Sequence, residues 1–201
     1  MVQRASEASP SNPPLSTILR GERVALRPPR SNDLAALRRT LRRNAEHLRP
    51  WSPAPRPGEE PTSITEVSKT IMRERREWTR GAAYSFFIVP PDIPRDAPIM
   101  GRIGLSGVVR GAFQNAFLGY WMANEWAGTG LMTEAVNLTV DFAFRALHLH
   151  RVQAAVMPRN LASLRVLEKI GFRREGLAER YLKIAGVWED HIIFATTADE
   201  R

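Results

Sequence analysis

Residues 118–135 read LGYWMANEWAGTGLMTEA, an apolar β-rich run, a turn with glycines at 128 and 130, and the start of an amphipathic helix. If that helix opens directly after a strand, the amides of Ala127 to Leu131 have no intrahelical acceptors and point at whatever lies in front of them. The positive end of the helix dipole stands behind them, so the turn reads as a cradle for an anion of pyrophosphate size. A dinucleotide-binding unit could own such a turn, but its third glycine would fall on Thr133, and the next strand ends Val156-Met157-Pro158 without an acid to grip a ribose. A mononucleotide P-loop needs Gly-Lys-Ser/Thr, which does not occur.

Composition bounds what surrounds the cradle. A chain of 201 residues, 43% hydrophobic and 25% charged, can bury one sizeable core, so a single domain is expected. The absence of cysteine removes disulfides, thiolate zinc sites and a cysteine nucleophile together. Residues 1–17, MVQRASEASPSNPPLST, lack the apolar core of a signal peptide and read as a disordered tail before a domain at 18–198. No window reaches the ~18 apolar residues of a membrane span, so a cytoplasmic protein without membrane contact is expected. The net charge of +8 comes almost wholly from arginines spread between acids. It suits an anionic cofactor or a site on a ribonucleoprotein as well as a dedicated nucleic-acid surface.

Periodicity orders the rest. RVALR (23–27) alternates as a strand and stops at Pro28 and Pro29. Ser31 then caps a helix with Leu34, Leu37 and Leu41 on one face and Arg38, Arg39, Arg42 and Arg43 mostly on the other. A proline-rich bend holding Trp51 leads to a second helix with Ile64, Val67, Ile71 and Trp78 at helical spacing. Strands are predicted at 84–89, 99–105 and 117–122, a helix from Thr129 to Leu147, and a strand at 152–156. A helix capped by Asn160 and ended by Gly171 precedes strands near 173–179 and 189–195, giving the order βααβββαβαββ.

Two motifs in this frame resemble the GNAT acetyltransferase superfamily. EWAGTG (125–130) stands where its members carry Q/R-x-x-G-x-G/A, and NLASLRVLEKIGF (160–172) resembles the second superfamily motif. HLRPW (47–51), VVRGAF (108–113), LGY (118–120), GTGLMTEA (128–135), HLHRV (148–152) and EGLAERYLKIAGVWEDH (175–191) extend the likeness. Together they are similar to the RimJ and RimL ribosomal-protein N-terminal acetyltransferases, RimJ more closely, over residues 20–197 or so. Glu125 departs from the pattern; an acid beside a pyrophosphate is unfavourable, so its side chain is expected to face away. The resemblance implies an α/β (α+β) fold of GNAT type. Its central sheet would be mixed, mostly antiparallel and twisted, with about seven strands splayed at a V between the fourth and fifth, flanked by about four helices.

The resemblance also implies acetyl-CoA as cosubstrate and no metal. Trp121, Met122 and Ala123 would pair with the pantetheine arm, and the Met122 amide would polarise the thioester carbonyl. Ala127, Gly128, Thr129, Gly130, Leu131 and Met132 would hold the pyrophosphate, Asn160, also a catalytic candidate, would contact the pantetheine or its backbone neighbours with Ser163 beside it, and Arg165 or Lys169 would reach the 3′-phosphate. The helix tyrosine that protonates the departing thiolate in many members corresponds to Leu167; Ser163 resembles the serine given that role in the RimL group. Ser163 reads equally as an N3 residue bonded to its cap. Tyr181 is a second proton-transfer and acceptor-side candidate, set against a reading as buried packing. Trp51, Arg110 and Phe113 are candidate acceptor contacts, with core packing the other reading of Trp51. Glu134 reads as an acid complementing the helix dipole, and His148 and His150 as residues suited to the dipole at a helix C-terminus rather than as metal ligands, having no carboxylate or Cys partner nearby in sequence.

The reaction so implied is direct attack of an amine on the acetyl thioester. The acceptor would be a protein N-terminal α-amine such as that of a ribosomal protein, with ribosome association, and with monomer and homodimer both compatible. Two alternatives stay open: a small-molecule amine as acceptor, and a catalytically weak CoA-binding or RNA-associated protein.

Overall fold

The computed structural model describes residues 12–201. Among these residues eight strands form one sheet: β1 (Leu19–Arg20), β2 (Ala25–Arg27), β3 (Tyr84–Val89), β4 (Gly101–Val109), β5 (Asn115–Met122), β6 (Arg151–Val156), β7 (Arg173–Ile184) and β8 (Val187–Thr197). Their order is β1-β2-β3-β4-β5-β6-β8-β7, and every pairing is antiparallel except β5 with β6. The helices are α1 (Leu34–Arg43), α2 (Ala45–Leu48), α3 (Ile64–Arg80), α4 (Leu131–Arg145) and α5 (Leu161–Lys169). The expected mixed, mostly antiparallel sheet is present, with a short edge strand and a single-turn helix beyond the number the periodicity suggested.

Alternation along the strands sends side chains to two apolar layers. On one face Leu26, Phe86, Ile88, Ile103, Leu118 and Met122 pack with Leu131, Ala135, Val140 and Phe142 of α4. On the other, Ala25, Phe87 and Val89 meet Leu37 of α1 and Val67 and Ile71 of α3. Covered on both sides, β3 is buried at all six positions. Trp78 joins the first layer at the end of α3, its ring edge-on to Tyr84 at 5.1 Å and to Phe86 at 5.0 Å. Ser63 starts α3 by accepting from the Glu66 amide at 3.2 Å, and Gly81, at φ 69°, ends it. No described helix is long and apolar enough to cross a membrane.

Four local expectations change. Residues 12–17 are packed: the Trp78 indole donates to the Pro13 carbonyl at 2.7 Å, and the Tyr84 hydroxyl donates to Asn12 Oδ1 at 2.8 Å. The remaining residues of the expected tail, 1–11, lie outside the described residues. Ser31 caps nothing; Asp33 does the local work, accepting from the Arg30 amide at 2.6 Å and from both Arg27 guanidinium ends at 2.7 Å. Ile64 is 59% exposed, and the buried face of α3 is carried by Val67, Ile71, Glu74 and Trp78 instead. The last two strands are longer than predicted and meet at an Ala185–Gly186 turn; β7 is so exposed, and so interrupted by register shifts, that period-2 alternation is lost.

The feature that positions the site is the junction of β5 and β6. They pair only from Asn115↔Arg151 to Phe117↔Gln153. Beyond that β5 stays laddered to β4 as far as Met122↔Gly101, and β6 to β8 as far as Val156↔Ile192. Two intact ladders therefore diverge into the expected V.

Candidate functional site

One wall of the V is the second half of β5. The Ala123 amide donates to the Met100 carbonyl at 2.9 Å, in register with Trp121↔Arg102, so 121 and 123 are the positions that exchange bonds with β4. Antiparallel ladders alternate, which leaves the amide and carbonyl of Met122 and of Tyr120 directed into the gap. The expectation that Trp121, Met122 and Ala123 together serve a ligand is thus corrected to Tyr120 and Met122. The Trp121 side chain packs on the opposite face, against the layer under α1 and α3.

At the mouth of the V lies the glycine turn. Gly128 and Gly130 have φ of +75° and +83°, a region costly for residues with a Cβ. Helices α3 and α5 carry side-chain caps, Ser63 and Asn160, whereas α4 opens on Gly130 with none. Among the described residues the amides of Gly128, Thr129, Gly130, Leu131, Met132 and Thr133 have no acceptor; that of Glu134 is the first to be used, by Gly130 at 3.3 Å. Ala127 leaves the expected set, since its amide donates to Asn124 at 3.1 Å in the short turn before the glycines. Uncapped amides on a helix N-terminus suit a pyrophosphate, and the gap-facing groups of β5 suit the amide-bearing arm of a pantetheine, so coenzyme A fits the residues present.

Two contacts hold the turn from outside. Buried Asn44, between α1 and α2, accepts from the Asn124 amide at 2.7 Å and donates to Glu125 Oε2 at 3.3 Å and to the Thr40 carbonyl at 3.0 Å. The Glu125 carboxylate is thereby engaged toward α1. Glu134 accepts from the Arg23 amide at 2.9 Å, and the Arg23 guanidinium donates to the Thr129 carbonyl at 3.0 Å, so Glu134 and Arg23 brace the β1–β2 turn against the glycine turn, Glu134 also sitting near the dipole.

The other wall carries α5. Asn160 Oδ1 accepts from the Ser163 amide at 3.2 Å, so the cap uses the backbone of Ser163 and leaves its hydroxyl free. That hydroxyl lies 2.8 Å from the Tyr120 hydroxyl, across the V. Burial raises Tyr120 to about 12, against a smaller opposing effect of the Ser163 hydrogen bond, so the phenol stays protonated at neutral pH. Leu167 is wholly buried, and Arg165 and Lys169 are exposed on α5.

Among the acceptor candidates, Trp51 and Tyr181 lie at the open end. Arg159, just before α5, stacks over the Trp51 ring at 4.9 Å, donates to the Pro50 carbonyl at 3.2 Å and pairs with Glu189 of β8 at 2.8 Å. Tyr181 is 38% exposed, tilted against His191 at 5.6 Å, so the buried-packing reading fails. Arg110 and Phe113 are not brought to the site. They occupy the turn before β5, whose eight residues place Met122 roughly 24 Å from Asn115, and Arg110 bonds the Leu147 carbonyl. His148 is exposed, and His150 faces Asp199 at 3.8 Å. Sequence reading missed Tyr120, Asn44 and Arg159. The period-2 alternation of β5 signalled Tyr120 beside Met122, whereas nothing local marked Asn44 or Arg159.

The acetyltransferase (GNAT) domain family matches residues 23–173. A probable N-acetyltransferase of Bacillus subtilis, YjcK, is 54% identical over 100 residues, a match covering 50% of this chain and 55% of that relative. The [ribosomal protein uS5]-alanine N-acetyltransferase of Escherichia coli is 34% identical over 157 residues, 78% of each chain. The structure of Mycobacterium smegmatis RimJ in complex with CoA-disulfide superposes with a TM-score of 0.83 at 34% identity, covering 96% of this chain and 91% of that one. With the V, the uncapped glycine turn and the gap-facing edge of β5 already in place, the chain belongs to the GNAT acetyltransferase family.

Proposed function

We propose that the chain transfers the acetyl group of acetyl-CoA directly to the N-terminal α-amine of a protein, with a ribosomal protein as the first acceptor to test. One observation supports the cofactor half above all: the six free amides of the glycine turn and the unpaired edge of β5 open into the same V. Acetyl-CoA supplies an activated acetyl thioester. Gly128 to Thr133 bind its pyrophosphate through backbone amides, with Arg165 or Lys169 on the 3′-phosphate, and Tyr120 and Met122 align its arm. The Met122 amide, fixed by the ladder on its other side, donates to the thioester oxygen as negative charge develops there. Ser163 passes its hydroxyl proton to the departing sulfur and regains one from the water that takes the proton shed by the amine. Trp51 and Tyr181 flank the acceptor entrance.

The acceptor half is supported by the name of the Escherichia coli relative and by the chemistry of amines. An α-amine of pKa about 7.7–8.0 is about a tenth to a sixth neutral at pH 7, whereas a lysine near 10.4 is neutral about once in 2,500 molecules. An α-amine therefore needs no strong base, and water serves to carry away its proton. The test is to incubate the purified chain with acetyl-CoA and a panel of N-terminal peptides, following thiol release and peptide mass. Acetylation at the α-amine is the expected result. Turnover confined to small amines in the same assay moves the acceptor class, and release with neither overturns the reading.

A further inference from the structure

We infer that Tyr120 is a positioning residue for proton delivery: its hydroxyl donates to Ser163 Oγ across the V and so turns the Ser163 proton toward the sulfur of bound coenzyme A. The inference rests on the proposed role of Ser163 and names a group that makes that role directional. Geometry carries it. The two hydroxyls are 2.8 Å apart, whereas the one other oxygen contacted by the phenol among the described residues, the Ser163 carbonyl, is at 3.4 Å. A phenol is a stronger donor than an alcohol, so the short bond runs from Tyr120 to Ser163. An alcohol that accepts one hydrogen bond keeps its own hydrogen for another acceptor and donates it more strongly.

Position supports the same reading. Tyr120 follows the last β5–β6 pair, Phe117↔Gln153, and lies two residues before Met122, on the same face of β5. The carbonyl-polarising amide and the hydroxyl pair thus share one edge of one strand. On the α5 side the Ser163 amide is already bound by Asn160, which holds the first turn of the helix while leaving the hydroxyl to Tyr120. The phenol is held protonated by burial well above neutral pH, so the donor persists wherever the thiol itself titrates.

The test compares binding of coenzyme A with binding of desulfo-coenzyme A, which lacks the sulfur, by titration calorimetry from pH 7 to 9.5. A donor aimed at the sulfur stabilises the thiolate, so coenzyme A gains about tenfold over the desulfo probe as pH rises. Tyr120→Phe keeps the packing and loses the hydroxyl; it is expected to abolish most of that gain, as Ser163→Ala does, with no further loss in the double variant. In turnover, Tyr120→Phe lowers kcat about tenfold and leaves KM for acetyl-CoA unchanged. A Tyr120→Phe protein that keeps the sulfur-specific gain overturns the inference while the role of Ser163 stands. Absence of that gain in the wild-type chain overturns both, and failure of both probes to bind overturns the cofactor reading itself.

Discussion

Asn115–Phe117 and Gly119–Met122 belong to one strand, β5, yet their backbones are spent differently. The first segment has neighbours on both sides, β4 and β6, and its peptide groups are consumed by the sheet. The second is paired with β4 alone, and its alternate amides and carbonyls face a gap. A buried, unpaired peptide group is costly, so the open half is stable only where solvent or a ligand completes it. The same contrast recurs among the helices, where α3 and α5 are closed by their own side chains and α4 is left open. The molecule withholds internal hydrogen bonds at the places where a polar ligand would supply them.

Proline scanning along β5 probes that contrast most strongly. Phe117→Pro deletes a ladder donor in the closed half and is expected to destabilise the fold by about 3 kcal/mol or more in a denaturant titration. Met122→Pro deletes a donor that the ladder does not use. Relative to Met122→Ala, which loses the same side chain but keeps the amide, it should cost little extra stability and about 100-fold in kcat. Equal destabilisation at 117 and 122 would break the distinction between the halves.

The glycine turn offers the next test. Gly128→Asp meets no protein atom within 4 Å at its Cβ, but it strains a φ of +75° and adds a carboxylate among the free amides. Affinity for coenzyme A should fall by about 100-fold, or about 2.7 kcal/mol, with circular dichroism unchanged. Asn44→Ala removes the brace rather than the cradle. It leaves the Asn124 amide without its partner and is expected to cost about 1–3 kcal/mol of stability, with a several-fold rise in KM for acetyl-CoA.

The smallest effect concerns the closed end of the V. Arg151, at the first β5–β6 pair, binds Glu175 of β7 with one contact at 3.0 Å. The Arg151 hydrogen bond leads the effects that hold the Glu175 carboxyl below its usual range. Its folded pKa is therefore depressed, so its contribution is present above the unfolded value and is lost as pH falls through the folded one. Thermal melts between pH 6 and 3 should show Glu175→Gln losing less stability on acidification than the wild-type chain. The difference should stay within about 1 kcal/mol, because the pair is partly exposed.

Much of this was legible in the residues. The glycine pair, the Asn160 cap and the apolar periods mark strand, turn and helix because those signals are local, fixed by φ preferences and by unsatisfied end groups. Other features depend on distant partners. Asn12 and Pro13 look like linker until Trp78 and Tyr84 supply bonds more than sixty residues away. Arg110 and Phe113 sit in a motif near the site in sequence but at the far end of β5 in space.

The sequence by itself therefore determined that the chain opens an uncapped helix on glycines after a strand, and that a second capped helix follows. Only the tertiary structure decided which amides those glycines leave free, which edge of β5 faces the V, and that Tyr120 meets Ser163. The physical reason is parity: a one-residue shift in ladder register exchanges every inward and outward peptide group. That register is set by pairing between strands, not by any residue within β5.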